Sequence, residues 1–150
     1  MAETGTKPNS PSPLTDLAAL CSRHSVAVLY AFGSRAQQAK EWLEESIASL
    51  PESGSDLDLG VLPETGIYLN ARKKVDLTLE LEDFFNVHRV DLLILPEAPP
   101  YLASTIIQGE RLYARDEDLA DEYDLYVLRR AGDLMPFHRQ RLAMIFGDER

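Results

Sequence analysis

The run SVAVLYAF at residues 25–32 leaves the chain few ways to fold. It is continuous, apolar and rich in β-formers, so a strand made of it has no face to give to water. Such a strand belongs inside a sheet with a layer of structure on each side, and the flanking segments have helical patterns that can supply those layers. SPLTDLAALCSRH predicts a helix opening at Ser12 with Pro13 in its first position. RAQQAKEWLEESIASL, residues 35–50, predicts a second helix with Ala39, Trp42, Leu43 and Ile47 along one side and charge along the other.

Further along, DLDLGVLP alternates polar and apolar residues as a second strand does, with Gly60 marking a bulge or a close approach. NARKKVDLTLELEDFFN is ambiguous between periods, though its length and the apolar positions Val75, Leu79 and the Phe84-Phe85 pair favour a helix. RVDLLILP predicts a third strand, PPYLASTIIQG a helix closed by Gly109, and RLYARD a short edge strand. Residues 117–134 predict an amphipathic helix carrying Leu119, Tyr123, Tyr126, Val127 and Leu134. The expected fold class is α/β (α+β), a short mixed sheet flanked by helices. Residues 1–12 are rich in Pro, Ser and Thr without apolar periodicity and are expected to form a disordered leader, with 13–150 as a single domain.

Composition narrows the function classes. The single cysteine, Cys21, excludes an intrachain disulfide. With no signal-peptide pattern and no apolar run near the length of a membrane span, it points to a soluble cytoplasmic protein with no membrane partner. A net charge of −10 argues against direct nucleic-acid binding, which draws on Lys and Arg against phosphate. The same charge suits a site for divalent cations, although acidity alone also serves solubility.

The chemistry lies where the apolar run stops, at Gly33-Ser34, and in SGSDLDLGV and RVDLLILPE further on. On a strand, Asp56 and Asp58 point to the same side while Leu57 and Leu59 point to the other. Two carboxylates so placed repel unless a cation lies between them, and Mg²⁺ takes oxygen ligands of this kind together with substrate phosphates. Asp91, on a neighbouring strand, offers a third carboxylate. The plain alternative for Asp-x-Asp alone is a solvated strand edge. Gly33-Ser34 leading into a helix at Arg35 presents backbone N–H groups and a hydroxyl at a positive helix end, where a phosphate can approach without a Cβ in the way. Alone, a Gly-Ser pair is ordinary turn punctuation. Arg35 could neutralise phosphate charge from the first helical turn or point to solvent. Together the turn and the carboxylates describe a nucleoside-triphosphate site.

Gly33-Ser34, Ser55-Asp56-Leu57-Asp58 and Val90-Asp91-Leu92 resemble the signature of the minimal nucleotidyltransferases of the DNA polymerase-β superfamily. PPYLASTIIQGERLYARD, followed by a helix with Tyr123, Tyr126 and DLMPF, resembles the tail of that family's antitoxin members, so the likeness spans roughly residues 25–137. The resemblance implies an ATP-dependent protein adenylyltransferase. It would act as an antitoxin by moving AMP onto a tyrosine of a HEPN-type ribonuclease toxin, with which it would form a hetero-oligomer. It also implies Asp56 and Asp58 as Mg²⁺ ligands and Asp91 as ligand or base, with ATP held at Gly33, Ser34 and Arg35. The chain departs from the family in the long span between Ser34 and Asp56, which predicts a longer first helix plus the PESG turn, or a partner-facing insertion. Two other functions fit parts of the pattern: a noncatalytic antitoxin that blocks its partner sterically, and a small-molecule nucleotidyltransferase. Among the remaining candidates, Asp76 is expected on a helix surface, Cys21 in the core, and Lys73-Lys74 and Arg129-Arg130 on solvated faces. His24, His88 and His138 have no metal-ligand spacing.

Overall fold

The computed structural model describes residues 12–134. In chain order the elements are α1 (Pro13–Arg23), β1 (Val26–Phe32), a 3₁₀ turn (Gly33–Arg35), α2 (Ala36–Leu43), β2 (Leu57–Pro63), α3 (Ala71–Phe85), β3 (Val90–Ile94), a second 3₁₀ turn (Leu95–Glu97), α4 (Pro100–Ile107), β4 (Glu110–Ala114) and α5 (Glu117–Leu134). The four strands form one sheet in the order β3-β2-β1-β4. β1 is antiparallel to both its neighbours, while β2 and β3 are parallel, which makes the expected mixed sheet.

The apolar run behaves as its composition demands, with Val26 through Ala31 all buried. One face of the sheet offers Leu29, Ala31, Leu57, Leu59, Val61, Val90 and Ile94 to α1, α2 and α3, which answer with Leu17, Leu20, Leu43, Leu77, Leu81 and Phe85. The opposite face presents Ala27, Val28 and Tyr30 to α4 and α5, through Ile106, Ile107, Ala120 and Val127. Fully buried leucines contribute roughly 1.5–3 kcal/mol each, so burial is the main force fixing both helical layers to the sheet. Local signals set the helix ends: Ser12 caps α1 by accepting from the Thr15 N–H, with Pro13 in the first turn. The Asn70 side chain accepts from the Lys73 N–H to open α3, and Asn86 closes it in a left-handed conformation.

Two expectations need correction. α2 stops at Leu43 and does not reach Leu50, so Ile47 is not part of it. Glu41, Glu44 and Glu45 crowd carboxylates at the negative end of the helix dipole, and the chain breaks there, with Glu45 in the left-handed region at φ 63°. Residues 44–56 then run without regular structure, anchored by the buried Leu50. α3 is helical as expected, but its inner face is Leu77, Leu81 and Phe85, while Val75 and Leu79 are each 55% exposed. Trp42 packs on Phe84 and Phe85 with ring centroids 5.2 and 5.6 Å away, joining α2 to α3. Gly60 is a close approach: a Cβ there would lie 2.4 Å from Cγ2 of Ile106. Residues 1–11 of the expected leader and the MPF of the tail lie outside the described residues, while Ser12, assigned to that leader, caps α1.

Candidate active site

The register of three strands brings the carboxylates together. Phe32, the last residue of β1, pairs with Asp58, and Asp58 pairs with Asp91 across the parallel β2–β3 ladder. Because β1 runs antiparallel to the other two, its end and their beginnings meet at one edge of the sheet. Leu57, Leu59 and Val90 point into the α1–α3 layer, so alternation turns Asp58 and Asp91 to the other face. Asp56 stands just before β2 and shares the parity of Asp58.

Asp58 is half-buried and Asp91 is exposed. The Asp58 carboxyl is held above its ordinary pKa, first by partial desolvation and then by the charges of Asp91 and Asp56. The two neighbouring charges thus add to the effect of burial. Asp56 is engaged by Arg89, whose Nε lies 3.6 Å from Oδ2. Among the described residues no group of three or more His, Cys, Asp or Glu side chains forms a ready-made metal cage.

The turn after β1 lies against this cluster. Gly33 and Ser34 are exposed, and neither the turn nor α2 has a side-chain cap at its start. Its leading N–H groups therefore have no side-chain oxygen to satisfy them, as an anion-accepting turn requires. Gly33 has φ +78°, and a Cβ on it would lie 2.6 Å from Oδ2 of Asp58. The turn is 3₁₀ through Arg35, so the α-helix begins one residue later than expected, at Ala36.

Arg35 does not point to solvent. It is 5% exposed, its guanidinium donates to the Pro51 carbonyl and lies 3.5 Å from that of Ser55, and its Nε donates to Gln38 Oε1. The segment it holds lines a cavity of about 340 Å³ together with residues 86–89 and Asp56. His88 lines this cavity, and Asp76 lies on an exposed helix surface.

Carboxylates from two strand starts facing a glycine turn in front of a helix are the frame of a phosphate-transfer site, and a family profile agrees: the one described as polymerase beta, nucleotidyltransferase, matches residues 16–118. The chain belongs to the polymerase-β nucleotidyltransferase family. This nucleotidyltransferase also matches solved structures in fold. A mutant of the MntA–HpeT toxin–antitoxin pair aligns over 89% of this chain and 98% of its own, with TM-score 0.61 and 18% identity. A toxin–antitoxin structure with AMP-PNP aligns over the same shares with TM-score 0.61 and 17% identity. The MNT antitoxin bound to the tri-AMPylated HEPN toxin of Shewanella oneidensis aligns over 89% and 96%, with TM-score 0.58 and 15% identity. No curated protein sequence matches significantly. Among the described residues no helix of the nucleotidyltransferase is long and apolar enough to cross a membrane.

Sequence reasoning missed Arg89 and the reach of Arg35. Arg89 had a signal: it lies two residues before Asp91, and in a parallel ladder pairing Leu57 with Val90 it falls beside Asp56. Arg35 had none, because its carbonyl partners belong to a segment without a repeating pattern.

Proposed function

We propose that this nucleotidyltransferase is a Mg²⁺-dependent protein adenylyltransferase that serves as an antitoxin, moving AMP from ATP to a tyrosine of a HEPN-type ribonuclease toxin. The observation that carries the reading is the cross-strand pairing of Asp58 with Asp91 beside Gly33, with the charge of Asp56 also felt at Asp58. Support for the substrate class comes from the similarly folded pair that contains a tri-AMPylated HEPN toxin and from the one solved with AMP-PNP.

The donor set fits a hard divalent cation. It offers only carboxylate oxygens, and the Asp58 carboxyl, raised first by partial burial and then by repulsion from Asp91 and Asp56, faces charges that a cation would neutralise. Asp58 and Asp91 would hold the metal, joined by Asp56 on release from Arg89; when bound, it neutralises charge on the triphosphate. The Gly33 and Ser34 amides and the Ser34 hydroxyl bind and orient the phosphates. The acceptor tyrosine oxygen bonds to the α-phosphorus, the bond to the bridging oxygen breaks, and pyrophosphate leaves. Asp91, the exposed member of the set, would take the phenolic proton as a base through an oxygen that the metal leaves free.

Intact mass of the neighbouring toxin after incubation with ATP, Mg²⁺ and a substoichiometric amount of the chain tests this. The expected result is a gain of about 329 Da, one adenylyl group, or a multiple of it. Asp56→Asn with Asp58→Asn should abolish the gain while the chain remains folded, since removing repelling charges does not weaken the fold. An unchanged mass with full mole-for-mole inhibition lacking any need for ATP would identify a steric inhibitor instead.

A further inference from the structure

We propose that Arg35 is a positioning residue: it latches the irregular segment 44–56 onto the start of α2 and thereby sets the backbone that carries Asp56 into the carboxylate cluster. The proposal rests on the transferase reading above and gives the same site a device that its carboxylates and glycine turn do not supply.

The long span between the turn and β2 poses a mechanical problem. Asp56 follows directly on a stretch with neither helix nor strand. Within it, Leu50 is buried, Ser46 N–H reaches back to the Glu41 carbonyl, and Ser53 Oγ accepts from the Ser55 N–H. The last is a contact inside the segment and ties it to nothing else. The next fixed points are Asp56 itself, whose Oδ2 lies 3.6 Å from the exposed Arg89 Nε, and the Leu57 N–H, which donates to the Arg89 carbonyl at 3.1 Å as β2 begins. Arg35 fills the gap. It stands two residues after Gly33, in the turn expected to receive phosphate, and its guanidinium meets carbonyls at Pro51 and at Ser55, the residue before Asp56. Gln38 receives the remaining Nε–H, which fixes the plane of the fork. A charged donor that is 5% exposed is too costly to leave unpaired, so the side chain and the segment are held to each other. One residue thus ties the phosphate turn to the approach to Asp56. The fork explains the residue type: Lys can reach one carbonyl but not two in a fixed plane.

The test uses the full chain and the variants Arg35→Gln and Arg35→Lys, with two readouts. In the first, nucleotide is absent and amide exchange is followed along the chain. The latch predicts exchange about tenfold faster or more over residues 50–57 in Arg35→Gln, with β1 and β4 unchanged and Arg35→Lys in between. In the second, AMP transfer to the toxin is measured. Here kcat should fall by about tenfold or more while KM for ATP moves by less than about threefold, and Arg35→Lys should restore part of kcat. If Arg35 instead contacts phosphate, segment exchange without nucleotide matches the wild type and the loss appears in KM, which overturns the proposal. If Arg35→Gln exchanges rapidly everywhere because it has not folded, Arg35→Lys decides through the same local comparison, and wild-type exchange over 50–57 in that variant overturns the latch. Failure of the wild type to modify the toxin would overturn the transferase reading alone, since the exchange measurement needs neither nucleotide nor toxin.

Discussion

Gly33 meets two demands at one backbone position. Its φ of +78° is a conformation that side chains resist, and the space where a Cβ would go is taken by the Asp58 carboxylate, 2.6 Å away. Gly33→Ala should therefore lose stability by about 1–2 kcal/mol from the backbone alone and also displace Asp58. Gly33→Asn separates the two effects, because Asn tolerates left-handed backbone yet still carries a Cβ. The expected outcome is that Gly33→Asn melts closer to the wild type than Gly33→Ala does, while both fall by about a hundredfold or more in nucleotidyl transfer. Near-wild-type transfer by either variant would show that the contact with Asp58 does not matter. The turn itself was legible in the sequence, since Gly-Ser after an apolar run announces a chain reversal. The reason for its glycine was legible only in part: phosphate access follows from local chemistry, whereas the pressure on Asp58 depends on a cross-strand pairing that no local pattern encodes.

The elements divide along similar lines. Most of them showed in the periodicity, but a helix's inner face and its last residue depend on neighbours. In α3, Val75 and Leu79 look as apolar as Leu77 and Leu81, and only the position of the sheet decides which pair is buried. α3 is also tied to α1 by polar contacts, with Glu80 bonded to His24 Nε2 at 2.6 Å and to the Arg23 guanidinium. These bonds, that from His24 foremost, hold the Glu80 carboxyl below its ordinary value of 4.5. A carboxyl depressed by folding stabilises the protein above its unfolded pKa, and that stability is lost as pH falls through the folded one. Glu80→Gln should thus be less stable than the wild type near neutral pH, by about 0.5 kcal/mol for so exposed a pair. The gap should close as acid protonates Glu80 below pH 4.5. Denaturant midpoints taken across the acid range check this, and a gap that persists in acid would assign the loss to packing.

For the molecule as a whole, the sheet centre is fastened to its outer layer through one half-buried carboxylate, that of Asp124. Tyr30, with no exposure, donates to Asp124 of α5 at 2.5 Å, and Arg111 of β4 donates to Asp124, Asp121 and Glu117 at 2.8, 2.9 and 2.7 Å. Tyr30→Phe removes one donor and should cost about 1–2 kcal/mol. Arg111→Met leaves three carboxylates facing one another and should cost more, with part of the loss recovered in about 1 M salt, where repulsion is screened. Urea midpoints at two salt concentrations distinguish the cases, and an equal loss at both would count against charge as the cause. The mixed sheet could be expected from the sequence, but its strand order could not, because pairing partners are chosen by distant segments. That order has a consequence for quality control. Asp58 is paired on both sides, with Phe32 and with Asp91, while Leu57 and Leu59 beside it fill the core. A slip of β2 by one position would drive its acid into the oil and lift its leucines into water, so an assembly error that ruins chemistry also ruins solubility. Misassembled copies of this chain should therefore be cleared as unfolded protein before they can circulate as compact, inert decoys.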